Sequence, residues 1–443
     1  MTTDLGLVAH MLAGSPETTL GRAIGHPQLL GCYRALVGAP DRPVAAVTGD
    51  RVLLGELSAG LPESPARPEA MVARALRRGV HVAWENTVMS DIAEVLAFQR
   101  SRGAAIVGVL RENPDLLPLS TAGSWFFASW RMRLVRRALL PLPPRAFAWL
   151  GVSGARLAID VAFWRGVKAV ATSDEWARYT LDSYVALCYH RLAGEYRPGE
   201  ERIDVSPRVF ARHLRILRML RLQPVSAEAL RSFHDLAGQR RLGSYRRVVV
   251  TADDGFADCI DVFRARAAEL RGAQVFVPTA AVGGRAWWVH GEPLAAWEGL
   301  RALANSGVTV GSHGRRHRPF TELDAVDLTA ELAGSATDLR PLAPAVPVLA
   351  YPNGAHDLRV RAAAQAAGYA LAFTTAPGRN GAGTDRWCLR RITPKAWDSR
   401  LSFAFKVLTG EHLPWRWEKW RMQCFRWRRR AAAALRTADK AGV

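Results

Sequence analysis

Between residues 180 and 400, short β-branched runs alternate with Ala/Leu/Arg stretches of helical length, and this alternation constrains the fold more than any other feature. Tyr184 to Tyr189 (YVALCY) reads as a buried strand. Ser206-Pro207 opens a helix, with Ser as cap, Pro in the first turn and an apolar face of Phe210, Leu214, Leu217 and Leu220. Further strands are expected at Val248 to Thr251, Val275 to Val277, Val308 to Gly311, Val346 to Ala350 and Leu371 to Thr374. Helices are expected at Phe256 to Leu270, Leu294 to Ser306, Asp324 to Leu339 and Leu358 to Ala367. Strands separated by helices pair in parallel, as a sheet or barrel, and present functional groups at their C-terminal ends.

Those ends carry the polar clusters. Asp253-Asp254-Gly255 follows Thr251, Ser312 to His317 (SHGRRH) follows the strand ending near Val310, and Tyr351-Pro352-Asn353-Gly354 follows Ala350. One rim would thus receive two carboxylates, two imidazoles and a Tyr-Pro turn. His313 and His317 lie four apart, a spacing that one helical turn would put on one face within reach of one ion. One Asp can complete a ligand set while its neighbour, pointing elsewhere, acts as a base. Taken singly, each motif is also an ordinary turn or solvated helix face.

Residues 184 to 392 resemble the polysaccharide deacetylases, the chitooligosaccharide-deacetylase-like carbohydrate esterases. The resemblance rests on YVALCYHRL (Tyr184 to Leu192), VTADDGFAD (Val250 to Asp258), VTVGSHGRRHRPFTEL (Val308 to Leu323), the Tyr-Pro segment from Val348 to Thr375, and CLRRI (Cys388 to Ile392). It implies an α/β domain folded as a distorted (β/α) barrel of fewer than eight units. It implies Asp253 as catalytic base, Asp254, His313 and His317 as ligands of a divalent metal, most often zinc, and the Tyr351 backbone N–H as an oxyanion donor. The implied substrate is an N-acetylated saccharide. Three positions depart from the pattern: Gly314 replaces a Ser or Thr; Leu349 and Ala350 stand where many members carry an Arg that pairs with the base; and the closing segment lacks a Leu-His motif. The general acid is therefore unassigned, with His290 and His356 as candidates that are equally well read as surface histidines.

Residues 1 to 176 read as a mixed, mainly helical domain. Val44 to Leu57, Arg67 to Trp84, Arg111 to Pro118 and Phe163 to Val170 faintly resemble the C-terminal half of family-two glycosyltransferases, without the nucleotide-binding half or its D-x-D motif. The resemblance implies a truncated, inactive remnant, with an acceptor sugar or a partner glycosyltransferase as the ligand it could retain; the alternative is an unrelated helical domain. A catalytically weak carbohydrate-binding or scaffold protein, and a transferase–deacetylase fusion, are the rival readings of the whole chain.

Residues 401 to 443 form a basic, Trp-rich tail, expected to be helical after Pro414 with Trp417, Trp420, Cys424 and Trp427 on one face. That face either meets an anionic membrane surface or packs on the barrel. The net charge of +20, from 60 Lys and Arg against 40 Asp and Glu, favours an anionic partner. No nucleic-acid fold signature accompanies it, so nucleic acid is not expected. Five scattered cysteines without C-x-x-C spacing argue against a disulfide framework or a thiolate zinc site. Met1 to Met11 lacks a signal-like pattern, and Ala138 to Leu157 is broken by three prolines and two arginines. The expected location is cytoplasmic, peripheral to the inner membrane face.

Overall fold

The computed structural model describes residues 91–193, 203–235, 240–244, 246–342, 344 and 346–441, the strand backbones 7–13, 44–48 and 82–88, and the single positions 59, 61 and 71. The first two stretches that resemble transferases, Val44–Leu57 and Arg67–Trp84, lie mostly outside the described residues.

The chain divides into two compact units. One comprises Met1–Ser183, Ser232–Tyr245 and Asn380–Asp385; the other comprises Tyr184–Arg231, Arg246–Arg379 and Arg386–Val443. In the first, β1 (Leu7–Ala13) pairs antiparallel with β2 (Val44–Thr48) and parallel with β3 (Val82–Val88). Its helices Ile92–Glu112 and Gly151–Val170 cross closely. Glycine permits the approach: a Cβ on Gly103 would sit 2.0 Å from the Phe163 carbonyl oxygen, and one on Gly166 2.0 Å from that of Arg100. Arg136 and Asp160, both buried, pair through two bonds of 2.6 and 2.7 Å.

The second unit holds the alternating segment. Its strands are β4 (Ser183–Tyr189, whose first residue belongs to the other unit), β5 (Gln223–Pro224), β6 (Arg247–Ala252) and β7 (Gln274–Val277). A two-residue hairpin pair, β8 (Arg285–Ala286) and β9 (Glu292–Pro293), precedes β10 (Thr309–Ser312), β11 (Val348–Ala350) and β12 (Leu371–Phe373). The sheet runs β12-β11-β10-β7-β6-β4, every neighbour pair parallel, with β5 beside β6. Strands β4, β7 and β11 are buried along their whole length, as strands covered on both faces must be. Ser206 caps the helix Pro207–Met219 by accepting from the Val209 N–H, and Asp324 caps Ala325–Leu339 likewise from Asp327.

The segment after β12 adds bridges at both ends of this run of strands. Leu389 bridges to Phe373 of β12, and Ile392 bridges to Leu187 of β4. Leu389 donates to Ala372 O at 2.9 Å, Ile392 to Ala186 O at 2.8 Å, and Cys188 to Ile392 O at 2.8 Å. The CLRRI segment therefore links β12 to β4 and curls the sheet into a distorted, half-barrel form of the (β/α) barrel, the fold the motifs implied. It also delivers Arg391 to the barrel interior, 1 % exposed.

The tail is helical over Trp415–Ala441. No helix among the described residues is long and apolar enough to cross a membrane.

Candidate active site

Strand β6 ends at Ala252, and the next two residues diverge. The Asp253 N–H stays tied to Tyr189 O at 2.9 Å. Asp254 then takes a left-handed backbone (φ 71°), followed by Gly255 at φ 71°. A non-glycine residue in that region costs of order 1–2 kcal/mol. The turn sends the two carboxylates to different partners.

Histidines 313 and 317 arrive from the end of β10. The expected single helical turn is not what joins them: residues 313–319 are an irregular loop, with Gly314 at φ 76° and His317 at φ 58°. The buried carboxylate of Glu331 replaces helical hydrogen bonding, accepting from the N–H groups of Arg315 (2.7 Å) and Arg316 (2.9 Å). Ser312 Oγ accepts from the Gly314 N–H at 3.0 Å. The ring centroids end 4.9 Å apart. A Cβ at position 314 would lie 3.0 Å from the Phe320 ring and 3.2 Å from Glu331 Oε2, which accounts for glycine there.

Asp254, His313 and His317 converge, all buried, with one potential ligand atom from each within 4.8 Å of the others. His313 Nδ1 lies 2.8 Å from Ala350 O. A carbonyl only accepts, so Nδ1 carries the proton and Nε2 turns its lone pair toward Asp254 Oδ1, 3.5 Å away. His317 Nε2 is 3.1 Å from the same oxygen, close enough to donate to it or to share an ion with it. The His313 lone pair facing a carboxylate oxygen in a buried site is unfavourable unless a cation lies between them, so this donor set fits a divalent ion. Burial drives the His313 imidazole down to about 4 against the pull of Asp253, keeping it neutral as a ligand must be. Burial would raise Asp254, but His317 and His190 outweigh it and hold it low.

Asp253 faces the barrel interior. Arg391 binds it with two parallel bonds, Nη1 to Oδ1 at 2.6 Å and Nη2 to Oδ2 at 2.7 Å. Burial alone would raise this carboxyl; the adjacent guanidinium overcomes it and holds the group well below the usual range. Arg391 is itself fixed by Thr374 O (2.9 Å) and Thr251 Oγ1 (3.1 Å), between the rings of Phe276 and Phe373. The arginine absent at Leu349 and Ala350 is thus supplied by the closing segment. The motif CLRRI contained the signal, but sequence alone could not say which strand it would meet.

Two other neighbours escaped the sequence reading. His190, half-buried, and Cys188 each bring an atom within 4.8 Å of an Asp253 carboxylate oxygen. Burial pushes the Cys188 thiol up and the His190 imidazole down. The His190 Nδ1 has no hydrogen-bond partner among the described residues. Trp288 lies flat on His317, ring centroids 4.2 Å apart at 16°.

One expected role needs correction. The Tyr351 N–H donates to Phe373 O at 3.0 Å, so it is spent on the sheet and not free for an oxyanion. Pro352 has no N–H, which leaves Asn353, in a left-handed turn at φ 56°, as the next main-chain donor. Of the two candidate acids, His290 sits exposed on the β8–β9 hairpin at φ 41°. His356 stacks on Tyr351 (5.1 Å) with Nδ1 engaged by Gly354 O at 2.9 Å.

A curled α/β sheet thus brings two carboxylates and two histidines together at its strand ends. Residues 244–372 match the family model described as polysaccharide deacetylase, and the chain carries such a domain there, as the motif resemblance implied. Among solved structures, the chain is similar to the deacetylase PplD of Streptococcus pyogenes in complex with acetate (19 % identity, 52 % of this chain and 99 % of that one, TM-score 0.43). It is similar to IcaB from Ammonifex degensii (24 %, 52 % and 98 %, TM-score 0.43). It is also similar to the deacetylase domain of BpsB from Bordetella bronchiseptica (21 %, 48 % and 95 %, TM-score 0.39). No curated protein sequence matches the chain.

Proposed function

We propose that the barrel is a metal-dependent N-deacetylase that cleaves the acetamide of an N-acetylated sugar to a free amine and acetate. The observation that carries this is the convergence of Asp254 Oδ1 with the Nε2 atoms of His313 and His317 (3.5 and 3.1 Å), beside a second carboxylate held apart by Arg391. Two imidazoles and one carboxylate suit zinc. When bound, a divalent ion there polarises the acetyl carbonyl and lowers the pKa of the attacking water.

The chain's own residues do the rest. Ala350 O fixes the His313 tautomer, so Nε2 is always the ligating atom. Asp253 takes the proton of the attacking water on a carboxylate oxygen. Arg391 keeps that oxygen ionised and aimed, at the expense of its basicity. His190, its Nδ1 unpartnered and its ring beside Asp253, joins His290 and His356 as a candidate to pass a proton, picked up during the attack, to the departing amine. Trp287, 68 % exposed and edge-on to Trp288 at 5.7 Å, offers an open indole near His317 for the apolar face of a sugar ring.

The test is acetate release across a panel of N- and O-acetylated sugars, with metal content measured in parallel for the native chain and for His317→Ala. The expected result is N-acetyl hydrolysis that stops on chelation, returns with zinc, and is absent from a metal-poor His317→Ala. Full turnover after exhaustive chelation would overturn the reading.

A further inference from the structure

The C-terminal helix carries an aromatic face that no described residue of its own unit covers. Helix Trp415–Ala441 is held on one side by Glu418, Arg421 and Phe425, spaced three and four apart. Glu418 pairs with the buried Lys406 at 2.9 Å and accepts from Trp397 Nε1 at 3.0 Å. Arg421 donates to Trp397 O at 2.6 Å, and Phe425 contacts the Trp397 ring. This packing decides where the remaining residues point. Trp417, Trp420 and Trp427, at spacings of three and seven, form a stripe beside the packing residues, turned away from Trp397, and are 62 %, 57 % and 70 % exposed. The alternative in which the tryptophan face packs on the barrel is thereby corrected: the packing face is the Glu418–Phe425 side.

Arg416, Lys419 and Arg428 are exposed around the same stripe. The only acidic residue between Trp415 and Arg430 is Glu418, and it is turned inward onto Lys406. The outward face is therefore cationic and aromatic without a compensating anion.

We propose that this face docks the chain on an anionic phospholipid surface, the helix lying in the headgroup plane with its indoles at the apolar boundary. Indole prefers that depth because its body is apolar and its N–H is polar. Arginine and lysine beside it meet the lipid phosphates. A protein partner would more often be met by a face with both charge signs, and this one has a single sign. The inference is independent of the deacetylase reading.

The test uses the full chain with vesicles of phosphatidylcholine alone or mixed with phosphatidylserine. Expected is cosedimentation with the mixed vesicles, with a blue shift of tryptophan emission. Trp417→Ala/Trp420→Ala/Trp427→Ala lowers the partition coefficient by roughly tenfold or more. Arg416→Glu/Lys419→Glu/Arg428→Glu abolishes the phosphatidylserine dependence, at about fivefold per charge removed. Far-ultraviolet circular dichroism stays unchanged in both, because the packing face is untouched. Equal cosedimentation of the native chain and the tryptophan variant would overturn the proposal. So would self-association, or binding of a single-stranded oligonucleotide, that the tryptophan variant abolishes while native vesicle binding is absent.

Discussion

The strand-end rim and the tail helix are both built from arginines and aromatic rings, yet they treat charge in opposite ways. At the rim, Arg391 is fully enclosed and every guanidinium bond is directed: two to Asp253, one to Thr374 O, one to Thr251. On the helix, Arg416 and Arg428 stay in solvent beside exposed indoles. A buried ion is tolerable only when paired and hydrogen-bonded, so the rim's geometry is rigid and specific. An exposed charge is cheap and undirected, which suits a surface of many equivalent phosphates and not a single acetamide.

The sharpest way to break this contrast is at the base. Asp253→Asn is expected to lower kcat by about 10²–10⁴-fold while metal content is retained, read by steady-state kinetics and metal analysis. Next comes charge itself. Arg391→Met leaves Asp253 buried without its partner and should cost about 3–5 kcal/mol in chemical denaturation, whereas Asp253→Asn/Arg391→Met recovers part of that stability without activity. Gly314→Ser restores the family's usual residue but forces a side chain into a left-handed backbone against Phe320. A loss of about 1–2 kcal/mol is expected, and a stabilised variant would refute the steric account.

Acid should act on the buried side alone. His213, stacked on Phe403 at 3.9 Å, is driven by burial from 6.5 down to about 3, and His313 from 6.5 down to about 4. Both are depressed, so the unfolded chain binds protons that the folded chain refuses. Their stabilising contribution is whole above pH 6.5, falls as pH drops, and is exhausted near pH 4 and pH 3 respectively. Melting temperatures of the metal-free chain, measured stepwise across that window, should fall monotonically. The smallest effect belongs to the tail: Arg416→Met should change stability by no more than about 0.5 kcal/mol.

Legibility followed the same divide. Asp253, Asp254, His313 and His317 could be read because each sits within a few residues of a strand end, and strand and motif are local patterns. The loop joining the histidines could not: Glu331, whose carboxylate shapes it, lies 15 and 16 positions from the N–H groups it holds. The oxyanion role expected of Tyr351 failed for a related reason, since its N–H was claimed by Phe373 on a neighbouring strand. Arg391 was visible as a residue and invisible as a partner, because 138 positions separate it from Asp253.

The order of residues alone determined the chemical inventory: alternating strands and helices, paired carboxylates, spaced imidazoles, a tail of tryptophan and arginine. Only the folded barrel decided which guanidinium would hold the base, which hydrogen His313 would keep, and which side of the tail would look outward. The reason is that reactivity belongs to side chains, whereas pairing and orientation depend on ring closure and packing between segments far apart along the chain.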